Sequence, residues 1–506
     1  MAVLAIMDHR LSRRDAWLLC CMAIGLHILP LVLADLAYID DVWRSQLAGQ
    51  LQDPGDSWTG QGRVLVDVLY SGLGFDKATP NIYPLPLLLA MVVAAKALSD
   101  LAFHYFEAPT GTALLVVLPL WYNPFFLQNL SYQYDGAAMA LALAASVMAI
   151  TQGARHRWGT GLAMVLVAAA ASLYQISVNV FAGLCCIEVI RQVAAHAPLR
   201  QVVRQLARRL VQLLGGGLLY LLTGYRLIDV PRTALLPLDH AWPETLARRL
   251  LLAFEHVGLL VTTGTAWLFL ILAGLAGATL VLRSWQVLRS ARPVISRVAL
   301  LALLWCSLVA LMLLVPGISL LFDYYNQGAR LLMGVGPAMV LVLLLAHERL
   351  AGLHGRLAWF TVIPLVFMLS FSYAYGRLLV AQKEMERVMT SSIAQAIQAN
   401  PAVYDAKRFY ILGHDSRQVW LPAGSGSFQA MPALRYVFAI AYQVLPEMMP
   451  RVGMTTFGSH PPLQKAQVLA SSPQPQVDGK FFAIHRVGDV GYVLMKPIID
   501  AEAFHK

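Results

Sequence analysis

Charge is scarce in this sequence. Asp, Glu, Lys and Arg make up 13% of its 506 residues, where a soluble domain carries about 25%. That excludes an ordinary water-soluble globular protein, and the mean hydropathy of +0.61 agrees. Cysteine is as thin. Cys20, Cys21, Cys185, Cys186 and Cys306 all lie in apolar runs. Both pairs are adjacent, so they form neither a disulfide framework nor a metal-ligand spacing. No internal repeat is visible, which removes the repeated-half signature of many transporters. The apolar runs are continuous rather than alternating, which excludes a membrane β-barrel. The net charge of +10 does not mark a nucleic-acid partner. The arginines cluster in short loops between apolar runs, which is how a membrane protein marks its cytoplasmic side.

Long apolar runs are what the sequence does have. Stretches of roughly 20 residues, each enough to cross a hydrocarbon core of about 30 Å, recur near 15–34, 82–103, 111–128, 133–151, 159–175, 177–190, 210–228, 257–282, 298–321, 331–346 and 357–375. They predict an all-α polytopic membrane protein with about 11 transmembrane helices. Arg10, Arg13 and Arg14 precede the first run, which ends in Leu33-Ala34-Asp35-Leu36 without a convincing cleavage site; it reads as a retained helix with a cytoplasmic N-terminus. Arg200, Arg204, Arg208 and Arg209, and then Arg283, Arg289, Arg292 and Arg297, fall on the same side in this scheme. An odd number of spans then places the tail outside, in the periplasm of a bacterial inner-membrane protein. Residues 1–375 form the transmembrane domain, with 35–81 as its first periplasmic loop. Residues 376–506 form a small α/β periplasmic domain.

The first loop has its own pattern. Asp40 to Gln52 is amphipathic, Asp53-Pro54-Gly55-Asp56 is a turn signal, and Val64 to Leu73 reads as a second interfacial helix. A similar helix starts at Pro243-Glu244. In the tail, residues 376–398 and 431–445 read as helices, 408–412 as a strand, and 424–427 and 471–475 as loops. Val487-Gly488-Asp489-Val490-Gly491 is a hairpin signal between two apolar runs.

Candidate chemistry gathers on the outer side. Asp40, Asp41 and Arg44 follow the first span; Trp58, Arg63 and Asp67 share its loop. Gln133-Tyr134-Asp135, Tyr174-Gln175 and Asp323-Tyr324-Tyr325 with Arg330 lie at other outer helix ends. Charge at such a boundary is costly without a partner or a wet cavity. Paired carboxylates there suit an enzyme acting on a lipid-linked substrate. Asp40 or Asp41 would take the proton of an attacking hydroxyl, Arg330 and Arg63 would hold a leaving phosphate, and Trp58, Tyr134, Tyr324 or Tyr325 would stack on sugar. An inverting route needs one carboxylate; a retaining route would recruit Asp135 as nucleophile. Each group also has a plainer role: Asp40, Asp41 and Asp135 as helix N-caps, Arg330 as an interface anchor, and the aromatics as an interfacial belt. Asp40 and Asp41 are oxygen donors for Mg²⁺ or Mn²⁺, yet neighbours on a helix point about 100° apart, so a divalent metal stays open.

Tyr38-Ile39-Asp40-Asp41-x-x-Arg44, then Trp58-Thr59-Gly60-Gln61-Gly62-Arg63, then Pro84-Leu85-Pro86-Leu87 resembles the serotype-converting glucosyl transferase II family. That family is similar to the wider type-C (GT-C) glycosyltransferases. The resemblance covers residues 38–90, with Val64 standing where the pattern has proline. It implies a GT-C fold and a polyprenyl-phosphate-linked sugar as donor. Asp40 and Asp41 become the acid pair, with Arg44 and Arg63 as donor-side neighbours. Glucose would pass from undecaprenyl phosphate to an O-antigen acceptor at the periplasmic face, with membrane lipids as surroundings. Another sugar passed to pilin or lipid A, an O-antigen polymerase or ligase, a lipid or sugar flippase, and a scaffold remain as competing classes.

Overall fold

A computed structural model of the chain describes residues 10–47, 57–155, 158–229, 234–413 and 419–496. The second half of the helix expected over Asp40 to Gln52, and the turn at 53–56, fall outside them. Two compact units emerge: Met1–Pro30 with Ala48–Tyr373, and Leu31–Leu47 with Ala374–Lys506.

Apolar run length decides the architecture. Nine helices among the described residues are long and apolar enough to cross a membrane: Arg13–Ala34, Leu85–Tyr105, Asp135–Gln152, Gln175–Ala194, Leu199–Leu227, Ala266–Leu288, Val294–Leu313, Val335–Leu353 and Gly355–Gln398. The protein is a multi-pass, all-α membrane protein with a small sheet domain. The other two expected spans are helical but shorter. The segment at 111–128 breaks into Gly111–Val117, Pro119–Tyr122 and Phe126–Ser131, because Pro119 and Pro124 supply no N–H to a helix ladder. Gly159–Leu173 has 15 residues and stops at the extended Tyr174; the tight turn read at Tyr174-Gln175 separates it from Val178–Ala194.

Within the first unit, Asp135–Gln152 has 83% of its apolar window buried, whereas Ala266–Leu288 and Val294–Leu313 have 17% each. The former is the centre of the bundle and the latter two form its rim. An ion cluster ties four helices together. Arg209 donates Nε to Glu188 Oε2 at 2.6 Å and Nη2 to Oε1 at 2.9 Å. It also reaches Gln212 Oε1 at 2.9 Å and the Ile150 carbonyl at 3.0 Å. His104 Nε2 lies 2.6 Å from Glu188 Oε1. Both ions are nearly excluded from solvent, at 2% and 5% side-chain exposure, where a charge persists only when paired.

The second unit holds a five-stranded sheet. Its strands are β1 (Arg408–Leu412), β2 (Phe457–Gly458), β3 (Val477–Asp478), β4 (Phe482–Val487) and β5 (Val490–Met495), in the order β2-β1-β5-β4-β3. β1 runs parallel to β2 and β5, while β4 is antiparallel to β3 and β5. The expected hairpin is β4–β5; Gly488 turns it at φ +61°, a conformation glycine adopts without a Cβ clash. Period-two alternation sends Phe409 and Ile411 to one sheet face and Tyr410 and Leu412 to the other. On the first face they pack with Met389, Ile393, Ile397, Met448 and Met449, and with Ala37 and Val42 from the first loop. Two tail expectations change. The helix read over 431–445 is cut to Ala433–Phe438, since Ala439 turns left-handed at φ +49°. The loop read at 424–427 opens a short helix, Ser425–Ala430.

Candidate functional site

In the first unit, a tight turn delivers two side chains. The 3₁₀ turn Thr59–Gln61 closes on Gly62 at φ +75°, with Gly62 N–H to Thr59 O at 2.8 Å. The Arg63 N–H reaches back to Trp58 O at 2.8 Å. Asp67, from the helix Val64–Gly74, accepts from the Thr59 N–H at 2.7 Å and from its hydroxyl. A Cβ at position 62 would sit 2.6 Å from the Tyr220 hydroxyl, which itself receives the Gln175 amide at 3.0 Å. Gly62→Ala therefore meets both a left-handed backbone and a steric clash. It is expected to cost about 1–2 kcal/mol from the backbone alone, read as a lowered unfolding temperature in detergent.

The turn aims Trp58 and Arg63 at Asp135, the first residue of the helix Asp135–Arg155. Trp58 Nε1 donates to Asp135 Oδ1 at 2.8 Å, and Arg63 Nη1 lies 3.5 Å from the same oxygen. The indole stacks on Tyr70 with centroids 5.1 Å apart, and Tyr134 sits 6.2 Å away. Tyr134 is 1% exposed and gives its hydroxyl to Thr79 O at 3.1 Å, so its ring buttresses Trp58. Gln133 is also inward, accepting from Asn81 Nδ2 at 2.7 Å. Asp135 is thus held at a helix N-terminus, where the dipole favours its charge, by two donors. An acid so engaged orients Arg63 and is poorly placed to attack a sugar.

Arg63 leads on to Arg330. Its guanidinium lies over the Tyr174 ring at 5.1 Å, and Nε reaches Gln175 Oε1 at 3.4 Å. The Tyr174 hydroxyl donates to Arg330 O at 3.3 Å, as does Asn129 Nδ2 at 3.2 Å. Gln128 accepts the Arg330 N–H at 2.7 Å, and Arg330 Nη1 donates to the Tyr132 hydroxyl at 2.6 Å. One polar network therefore holds Trp58, Arg63, Gln133, Tyr134, Asp135 and Arg330, drawn from stretches more than 200 residues apart. It lies at the ends of the bundle's helices.

Sequence reasoning did not single out Arg249. Only 8% exposed, it clamps the neighbouring loop, donating to the carbonyls of Leu320 at 2.9 Å, Phe322 at 2.5 Å and Asp323 at 2.9 Å. Tyr325 packs its ring 5.2 Å from this guanidinium and donates its hydroxyl to Arg249 O at 3.3 Å. Burial raises the Tyr325 hydroxyl above the ordinary tyrosine value against the pull of Arg249, so it stays a donor. Tyr324 is 65% exposed. Gln128, Asn129 and Tyr132 were also missed; two adjacent amides inside an apolar run were the available signal.

Asp40, Asp41 and Arg44 belong to the second unit. Asp41 starts the helix Asp41–Leu47, is fully buried, and accepts the Tyr38 N–H on Oδ2 at 2.9 Å. Asp40 is half-buried. Arg44 is 3% exposed, with its guanidinium over the Trp43 ring at 4.5 Å. Ile39, just before the pair, takes a left-handed φ of +48°. For a β-branched residue that is real strain, of order 1–3 kcal/mol, which persists only where the surroundings over-determine it. Among the described residues, no three His, Cys, Asp or Glu side chains gather as a metal centre.

Comparison with known proteins brings in the lineage. An uncharacterized 55.3 kDa protein in the gtrB 5′ region of Salmonella phage P22 is 28% identical over 196 residues; the match takes in 38% of this chain and 39% of that relative's length. No solved structure matches the chain. The family described as glucosyl transferase GtrII matches residues 29–341, which takes in the Asp40-Asp41 pair, the Trp58–Arg63 turn, Asp135 and Arg330. The chain belongs to the GtrII glucosyl transferase family.

Proposed function

We propose that this protein is an integral-membrane glycosyltransferase that moves glucose from a polyprenyl-phosphate donor to a periplasmic glycan such as O-antigen. Family membership supports sugar transfer. The observation that carries the site is the network in which Arg63 and Arg330 are held by Asp135, Tyr174 and Tyr132. Two oriented guanidinium groups suit a phosphate, because their N–H donors match its oxygens. An apolar cavity of about 290 Å³ lies among the helices of the same unit, lined by Leu268, Phe269, Met312, Ala338 and Met339 among others. Its chemistry supports an isoprenoid chain on the donor.

The acceptor hydroxyl oxygen attacks the anomeric carbon opposite the phosphate. The bond from that carbon to the phosphate oxygen breaks, and the phosphate leaves with the electron pair. Asp40 takes the hydroxyl proton, since Asp41 is buried and committed to the Tyr38 N–H. The anomeric configuration inverts. Arg63 and Arg330 offset the charge growing on the leaving phosphate; Trp58, buried against Tyr70 and Tyr134 with its indole N–H on Asp135, braces that carboxylate instead of stacking on the sugar. A divalent metal held by the acid pair is left to a chelator test.

The experiment is a mass measurement of cell-surface polysaccharide with and without the protein. A hexose increment that requires it supports the reading; an unchanged glycan overturns it. Arg63→Ala is expected to raise the donor KM about 10–100-fold, as loss of a hydrogen bond to a charged group costs about 1.5–3 kcal/mol. Transfer kinetics in vesicles check this.

A further inference from the structure

The segment that carries the acid pair is built into the C-terminal unit, and this gives that unit a role. Lys383 donates Nζ to the carbonyls of Ala34 at 3.2 Å and Asp35 at 2.6 Å, and pairs with Asp35 Oδ2 at 3.0 Å. The Tyr38 hydroxyl, fully buried, donates to Phe438 O at 2.6 Å across 400 residues of sequence. Ala37 and Val42 lie in the core that also contains Ile393, Phe409 and Met448. Asp40 therefore sits between two anchors, Tyr38 and Val42. The residue between Tyr38 and Asp40 is the left-handed Ile39. A backbone held in a sparsely populated conformation by contacts on both sides is how a fold fixes the aim of a functional side chain.

Resting on the reading of Asp40 as the proton acceptor, we infer that the C-terminal unit is the positioning device of the transferase, with Tyr38 as the positioning residue that acts through Asp40. Its tail is part of how the base is aimed, rather than an appended acceptor-binding module alone. The Tyr38 hydroxyl on the Phe438 carbonyl is the tether nearest Asp40, acting with the Lys383 contacts and the apolar packing.

Tyr38→Phe keeps the ring and removes that hydroxyl. In the full-length protein reconstituted in vesicles, kcat for glucosyl transfer is expected to fall about 10-fold with the donor KM unchanged. Hydrogen exchange of the amides over 36–44 is expected to speed up. Val468→Ala, in the core on the other sheet face, serves as control: it lowers the unfolding temperature while leaving kcat and the 36–44 exchange at their original values. Unchanged exchange over 36–44 in Tyr38→Phe overturns the inference whatever the activity. So does an equal loss of kcat in both variants at matched folded amounts. Faster exchange with full kcat also overturns it, because the tether would then not aim the base. Full activity in Asp40→Asn would instead sink the assignment of the base, and the exchange measurement separates the two failures.

Discussion

Asp40→Asn is expected to cut glucosyl transfer by about 10²–10⁴-fold, the usual contribution of a positioned general base. The change keeps size and polarity and removes the proton-accepting charge. Asp41→Asn is expected to behave differently. The amide oxygen can still accept the Tyr38 N–H that Asp41 holds at 2.9 Å, so part of the turn survives and the loss is smaller. The measurement is transfer from a lipid-linked glucose donor by purified protein, normalised to folded amount, with the surface glycan mass as the cellular counterpart. If Asp40→Asn transfers at the original rate, the base lies elsewhere. A larger effect from Asp41→Asn than from Asp40→Asn would reverse the assignment within the pair.

The second large effect lies at the Glu188 cluster. Glu188→Ala leaves the Arg209 guanidinium, 2% exposed, without the carboxylate that meets it through two N–H groups. Breaking a buried pair on one side costs about 3–5 kcal/mol, because the remaining charge has lost both its partner and water. Glu188→Leu with Arg209→Met together should recover most of that loss, since replacing both ions by apolar groups is often neutral or stabilising. The two sites therefore depart strongly from additivity. Thermal unfolding in detergent of Glu188→Leu, Arg209→Met and the double variant checks it. A double variant as unstable as the sum of the singles would mean that the ions act independently.

Part of this was legible without coordinates because it is local. Run length and continuity predict a helical membrane protein, but run length alone misread 111–128 as one span, which Pro119 and Pro124 break. The hairpin at Gly488 follows from a residue that turns left-handed without a clash. Where local signals failed, a neighbour or a cap intervened: Ala439 stops the helix read over 431–445, and Ser425–Ala430 turns helical despite its Gly-Ser composition. Of the site, the polar residues at the helix ends were visible as exceptions in an apolar chain. Their partners were not. Nothing near Arg63 in sequence announces Asp135 or Tyr174, and Arg249 looks like any loop arginine until its three carbonyls are seen.

The order of amino acids determined the membrane class, the helices, the small sheet domain and the set of polar groups from which chemistry could be built. Those depend on hydropathy over a span, on turn residues and on period, all contained within a few tens of residues. Only the tertiary structure decided that Asp135 is committed to Trp58 and Arg63, that Arg330 is held from residues 128–132 and 174, and that Ala37, Tyr38 and Val42 lodge in a core made mostly by residues after 374. Burial and hydrogen bonding reward contact in space regardless of distance along the chain, so these pairings are set by packing that no local pattern records.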